Sequence, residues 1–592
     1  VETVPVSRFL NGTGVVLVED EASAPLFETL AKSGIANARL EISWSKFDYH
    51  HEGELGRADG IRKTLALSRE FGLRPLILIN AHHGLPAPAL TARTTVKENA
   101  PAGSRLIRID RTDSVVPRRT GISNLSEFWA AEIIILDTHG DDVAELSKPL
   151  PRTYNAGEIL ELTTLKYEAF SVPGTARNEA TLSGWLDYVD AVARVATEIL
   201  GTADARDKGF DLEIWNELTF GSKFLSINNY YDPPLLSYRP ESIYDEIVSR
   251  TAEHIAGRDA GFAGVHLVDG FASTMPWPAA ADQHPRVRGL AKHPYVHYLR
   301  YPEDEQRNTV DIDRVHDAKR CAPRYAACFP EHAAMAIETE SLTRDLAPMP
   351  NEIYGKRHGR LARLVNGKPA PVAVWLTEAG LMPKEIFGLA HTSCDPTWLK
   401  TRAAIRYFLF FLNKGAERVY LYQAAGAPDD YGLALKPDAA AQHDAYVSST
   451  LRVLDRVCRM LRDEADGVDQ ASRAVSFEVG ERQLIGLDDG CADLAGRIAR
   501  DPASGLALLP FQINPSRFAI AYYAVSRNIL VESPPFQVRT RISGVRGLRA
   551  TLRSYDAVTD SWSPIETRDL EAAAASCMLV ARDFPQFLVI DD

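Results

Sequence analysis

The chain has little of what usually betrays a function. It carries only six cysteines in 592 residues: Cys321, Cys328, Cys394, Cys458, Cys491 and Cys577. No two form a C-x-x-C pair, which argues against a zinc ribbon. Cys321 and Cys328 are spaced to close a small disulfide loop in an exported protein, with free thiols the alternative. Basic charge is in deficit, 66 Lys and Arg against 79 Asp and Glu for a net charge of −13. A nucleic-acid partner wants a basic face, so that class is set aside. No run of about 18 apolar residues occurs, so no helical membrane span is expected. Internal repeats and low-complexity tracts are missing too. No signal-peptide pattern opens the chain at Val1, which is uninformative. A secreted or periplasmic location is favoured over a cytoplasmic one, and high Ala and Arg usage suits a bacterial source.

What is present is ordinary globular composition, 45% hydrophobic and 24% charged. The length suggests two or three domains, although one α/β barrel absorbs roughly 250 residues. Strand and helix patterns alternate from the start. "FLNGTGVVLVED" reads as a strand, "SAPLFETLAKSG" as a helix with Gly34 as its stop, and "ANARLEISW" as the next strand. "IRKTLALSREFG" and "RPLILINAHHG" continue the β-α-β rhythm of a parallel sheet with right-handed crossovers. Between 90 and 172 the rhythm gives way to the strand-like runs "SRLIRID", "AAEIIILDT" and "EILELTTLKYEAF", predicting a β-rich insertion after the third strand. It then resumes. "DLEIWNELTF", "GVHLVDGFAS", "GLAKHPYVHY", "APVAVWLTEAG" and "ERVYLYQAAG" supply strands four to eight. The expected fold is an α/β protein: a (β/α)8 TIM barrel from 1–89 and 173–471, with a β-rich insertion at 90–172. An antiparallel β-sandwich is expected at 472–592, where short strands such as "FAIAYYAV" and "FQVRTRI" follow one another.

In such a barrel the chemistry sits where the strands end. Strand two ends near Arg39, Glu41 and Trp44, and strand three at Asn80, His82 and His83. Strand four ends at Trp215, Asn216 and Glu217, strand six at His293 and Tyr295, strand seven at Thr377 and Glu378. Strand eight offers Tyr420, Tyr422 and Gln423. Glu217 and Glu378 stand out, because strands four and seven face each other across the mouth. Retaining glycosidases need two carboxyl groups about 5–5.5 Å apart, one a nucleophile and the other an acid that later becomes a base.

At these residues the chain resembles the large clan of retaining glycoside hydrolases built on (β/α)8 barrels, clan A. "EIWNEL" is similar to the clan's acid/base motif, with Asn216 and Glu217 matching, and "VWLTEAG" to its nucleophile motif, with Glu378 matching. Family 39 is the nearest resemblance, through "FLNGTGVVLVED" and "ARLEISWSKFD". The resemblance implies Glu217 as acid/base, Glu378 as nucleophile, Arg39 as the nucleophile's support and Tyr295 as its contact. It implies Asn216 on a sugar hydroxyl, and His82 or His83 together with His293 at the substrate. No cofactor is required. Two departures are visible: Tyr422 and Gln423 stand where the clan ends strand eight with Trp, and "WNEL" lacks the Pro that often follows the Glu.

Each residue has a plainer reading. His82-His83 is a hydrogen-bonding pair before it is a metal site, and Pro294 spoils the helical spacing of His293 and His297. Glu41 is a third acid or a wall residue, and Glu213 an internal structural carboxylate. Trp44, Trp215, Trp277 and Trp398 are sugar platforms or core. "SINNYYDPP" suits a substrate loop or a folded-down one. The expected partner is an oligo- or polysaccharide. The rivals are a non-catalytic polysaccharide-binding barrel and a metal-dependent barrel hydrolase.

Overall fold

A computed structural model gives the structure of the protein. It describes the chain except residues 19–20, 52, 57, 82–84, 124–132, 218–239, 259, 271–283, 296–307, 314–317, 324–329, 331–362, 366–367, 371–372, 385–394, 438–442, 463–471, 485–505, 525–534, 546–549, 572 and 592. His82, His83, Trp277, Cys328 and the "SINNYYDPP" segment lie outside the described residues.

Eight parallel strands close into a barrel in sequential order: β1 (Thr13–Val16), β2 (Asn37–Ser43), β3 (Arg74–Asn80), β4 (Asp211–Ile214), β5 (Leu267–Asp269), β6 (Val287–Lys292), β7 (Ala373–Ala379) and β8 (Arg418–Tyr422). The strands alternate as the pleat requires. Leu40 and Ile42 of β2 join the outer core with Leu65, Leu182 and Val189 of the surrounding helices. The interior is filled by Val16, Leu76, Val268, Trp375 and Tyr420. The helices follow from their sequences. Asp59–Phe71 buries Ile61 and Leu65 and stops at Gly72 in the left-handed region, φ 72°. Ala176–Leu200 starts at Thr175, whose hydroxyl accepts from the Asn178 amide.

One sequence expectation fails at the start of the chain. Val6–Gly12 is a short helix, and the first barrel strand begins only at Thr13. Phe9 packs edge-on against Phe511, with centroids 5.8 Å apart, so a partner some 500 residues away decides this segment's conformation.

After β3 the chain leaves the barrel. Ala89–Thr95, Ile159–Leu165 and Thr120–Ile122 form one antiparallel sheet, and Leu106–Arg108, Val143–Leu146 and Ile135–His139 another. They share a core of their own, including Val96, Ile107, Ile122, Leu146 and Leu160. At the far end of the chain, a six-stranded and a four-stranded sheet enclose a third core around Leu508, Ile520, Val538, Leu579 and Leu588. The six-stranded sheet also pairs Val4–Pro5, in parallel, with Leu506–Asn514.

The helix Pro396–Lys414 is buried on every side from Leu399 onward, because it lies between barrel and sandwich. Arg402 reaches Asp583 at 2.8 Å, the Arg406 guanidinium lies over the Tyr523 ring, and Asn413 Nδ2 donates to Pro510 O at 2.9 Å. No described helix is long and apolar enough to cross a membrane.

Candidate active site

An aromatic cluster outside the barrel sets the ends of β2, β3 and β4. Trp185 of Ala176–Leu200 meets Trp44 and Trp215 at centroid distances of 5.8 and 5.3 Å, and Tyr188 of the same helix meets Trp44 at 5.9 Å. The Tyr188 hydroxyl donates to Ile42 O and accepts from the Asn80 amide, joining the tails of β2 and β3. Trp44 is only 2% exposed, stacked on Tyr167 and Tyr188. Its expected contact with sugar is therefore corrected: both ring faces are covered by protein. Trp215 belongs to the same core and offers no open platform, and the partly buried Trp398 stacks on Phe584 at 4.7 Å.

Burying Trp215 outward has a consequence for β4. Glu213 points inward, Ile214 outward, and simple alternation would send Trp215 inward again. Trp215 instead takes a left-handed conformation, φ 67°, and so does Glu217, φ 49°. For residues other than glycine this is costly backbone. It lets the indole join the outer core while Asn216 and Glu217 turn to the mouth.

There Arg39 is the hub. Its side chain is 3% exposed and spreads its three nitrogens over three partners. Nε meets Glu213 Oε2 at 2.5 Å, Nη1 meets Glu378 Oε1 at 2.6 Å, and Nη2 donates to Asn216 Oδ1 at 2.9 Å. The Tyr295 hydroxyl donates to the other oxygen of Glu378, at 2.8 Å. His293 Nδ1 faces Glu217 Oε1 at 3.1 Å and Glu378 Oε2 at 3.7 Å, and its Nε2 faces Thr377 Oγ1 at 2.9 Å. Nδ1 is thus the ring nitrogen turned to the two carboxyl groups, and Nε2 the one turned to the Thr377 hydroxyl.

One oxygen of Glu217 and one of Glu378 lie, with a His293 nitrogen, within 4.8 Å of one another. The two acids differ in setting. The Glu378 side chain is 14% exposed, that of Glu217 28%. Burial acts to raise the Glu378 pKa, but the charges of His293 and Arg39 and the hydrogen bonds from Tyr295 and Arg39 outweigh it, holding the carboxyl below the usual range. Tyr295 moves the opposite way, its phenol pushed far up by burial and by the Glu378 charge, so it remains a donor.

The structure thus brings Arg39, Asn216, Glu217, His293, Tyr295 and Glu378 together. Tyr422 is nearby, half-buried, its ring 6.3 Å from that of Tyr295. Glu41 accepts from Asn80 Nδ2 at 3.0 Å, beside the cluster and outside the Arg39 hub. Glu213, read from the sequence as an internal structural carboxylate, is buried and paired with Arg39. One described participant went unmarked in the sequence. Tyr431, on the loop after β8, packs edge-on against both Tyr295 and Tyr422. The only sequence signal for it was an aromatic in the "DDYG" turn after a barrel strand.

Glu217, His293 and Glu378 also meet the spacing of a metal site. Both oxygens of Glu378 already receive donors, one of them a guanidinium. A cation bound there would face the Arg39 charge at close range, which fits the donor set poorly.

No protein-family model matches the chain, and no curated protein matches it. Among solved structures it is similar to a family 39 glycoside hydrolase from the gut symbiont Bacteroides cellulosilyticus WH2, with a TM-score of 0.46 and 11% identity over 99% of this chain and 82% of that one. It is also similar to a family 30 subfamily 8 xylanase from Clostridium acetobutylicum, with a TM-score of 0.37 and 9% identity over 98% and 96% of the two chains. A family 5 xyloglucanase from Paenibacillus pabuli is a third, with a TM-score of 0.35 and 9% identity over 76% and 98%. Likenesses this low carry no functional weight, and the chemistry of the site rests on its own side chains.

Proposed function

We propose that the protein is a retaining glycoside hydrolase acting on an oligo- or polysaccharide, with Glu378 as nucleophile and Glu217 as acid/base. The observation that carries this is the carboxylate pair at the ends of β4 and β7, within 4.8 Å of each other and unequally held. An oxygen of each within that reach of the other suits direct attack on an anomeric carbon, where retaining enzymes hold their carboxyl groups about 5–5.5 Å apart and inverting ones roughly 6.5–9.5 Å. Glu378, kept ionised by Arg39 and Tyr295, attacks and forms a glycosyl ester. Glu217, the more exposed acid, gives its proton to the leaving oxygen and later takes one from water. Asn216, fixed by Arg39, is placed to meet the hydroxyl beside the anomeric carbon.

The test is hydrolysis of a panel of aryl glycosides by the wild type, Glu217→Gln and Glu378→Gln. Both variants should lose at least about a thousandfold in kcat/KM, in line with losing a nucleophile or its proton donor. Azide should rescue a Glu378→Gly variant with inverted product and a Glu217→Gly variant with retained product. Glycan binding without turnover by the wild type would mark a non-catalytic barrel. Activity abolished by chelator and restored by a divalent metal would favour a metal-dependent hydrolase at Glu217, His293 and Glu378.

A further inference from the structure

Double displacement needs two carboxylates, and the site holds a third. Glu213 of β4 is completely buried. Its Oε2 is paired with Arg39 Nε at 2.5 Å, while Oε1 has no hydrogen-bond partner and stands 4.0 Å from His293 Nε2. A buried carboxylate with one oxygen unserved is expensive, and an uncharged residue of the same volume fills such a place at lower cost. The charge faces the two groups, Arg39 and His293, whose positive charge holds Glu378 ionised.

We infer that Glu213 is a positioning residue that offsets Arg39 and His293, so that Glu378 stays ionised without being gripped too tightly to attack. This rests on the glycosidase reading. Among the described residues, the surroundings leave Glu213 as the group able to do this. Arg39 comes from β2, Glu217 from the β4 tail, and His293 and Tyr295 from β6 and its end. Tyr420 and Tyr422 come from β8, the first within electrostatic reach of Arg418, Asp211 and Glu213 and the second of Glu378. Lys292 and Asp269, at the ends of β6 and β5, face each other. Both tyrosines stay neutral at working pH, because burial raises their pKa. The sign is fixed by electrostatics. Removing a negative charge near two carboxyl groups makes both easier to ionise.

The experiment is the pH profile of kcat/KM on the aryl glycoside that the wild type hydrolyses best. In Glu213→Gln both limbs should move to lower pH by roughly one unit, with kcat down about tenfold and KM within about threefold. Glu213→Met carries the same expectation and serves if the Gln variant does not fold. Glu213→Asp keeps the charge but draws it back by a methylene, so its limbs should move the same way by less than half as much. A profile that only loses height, with both limbs where the wild type has them, overturns the inference and leaves Glu213 a packing residue. A wild type that hydrolyses no glycoside refutes the parent reading instead.

Discussion

Gly270, at the end of β5, lies against the backbone of Trp215: a Cβ there would stand 1.8 Å from Trp215 O and 2.2 Å from Ile214 O. These are main-chain atoms, so no rotamer change relieves the clash. The left-handed turn at Trp215, which aims Asn216 and Glu217 into the mouth, therefore leans on a place where only hydrogen fits. Gly270→Ala should destabilise the protein by about 3 kcal/mol or more. Where the variant still folds, kcat should fall about a hundredfold, since displacing an acid by an ångström costs that much. Thermal melting with parallel kinetics checks both, and a variant of wild-type stability and rate would show that the strand ends separate freely.

Tyr295→Phe removes one donor from Glu378 and leaves Arg39 in place. A hydrogen bond to a charged group is worth about 1.5–3 kcal/mol, so kcat/KM should drop roughly ten- to a hundredfold. The lost bond favoured the ionised carboxyl, so the acidic limb should move to higher pH by about one unit. This is the reverse of the direction expected for Glu213→Gln, and the two variants together separate donors from counter-charges.

Much of this frame was legible before any coordinates. The barrel strands announced themselves because apolar runs alternate with helices that stop at glycines, and the strand ends carried Arg39, Glu217, Tyr295 and Glu378. What stayed hidden was decided by partners distant in the chain. Phe9 reads as strand, but Phe511 draws it into a helix. Trp44 reads as sugar platform or core, and only its stacking against Tyr167 and Tyr188 decides for core. The turn at Trp215 has no local signature, since nothing in "IWNE" asks for a left-handed residue. Strand parity places Glu213 inside the barrel, as it is, but says nothing about the guanidinium it shares with Glu378.

Asp211, at the other end of β4, ties the barrel's lower rim to Arg74 and His266. Burial works to raise its pKa, but hydrogen bonds from His266 and Arg74 and their charges prevail, and it is lowered to about 2. A depressed carboxyl stabilises the fold above its unfolded pKa, and that contribution fades as pH falls toward the folded value. Asp211→Asn should therefore cost about 2 kcal/mol at neutral pH. The gap to wild type should close between about pH 4 and pH 2. Urea midpoints of the two proteins across that range provide the measurement. A gap independent of pH would show that Asp211 acts through shape rather than charge.

The sheets between β3 and Ala176–Leu200 can be removed without cutting the barrel. Leu165 is paired directly with Ala89, and the Lys166 amide donates to Pro88 O at 2.8 Å, so the two ends of the insertion already meet as a hairpin base. Replacing 90–164 by Asn-Gly should close a two-residue turn compatible with that pairing. The excised part takes its own core with it, along with the exposed apolar side chains of Leu90, Leu106 and Ile159. If this region walls one side of the substrate cleft, as its departure from the catalytic end of β3 suggests, its loss should weaken hydrolysis of polysaccharide about tenfold or more, the weight of one or two stripped contacts. On the glycosidase reading, aryl glycosides are too small to reach beyond Glu217 and Glu378, and their hydrolysis should change by less than about threefold. Equal losses on both substrates would assign the insertion to stability rather than recognition, and melting curves of the shortened chain would show the same cause directly.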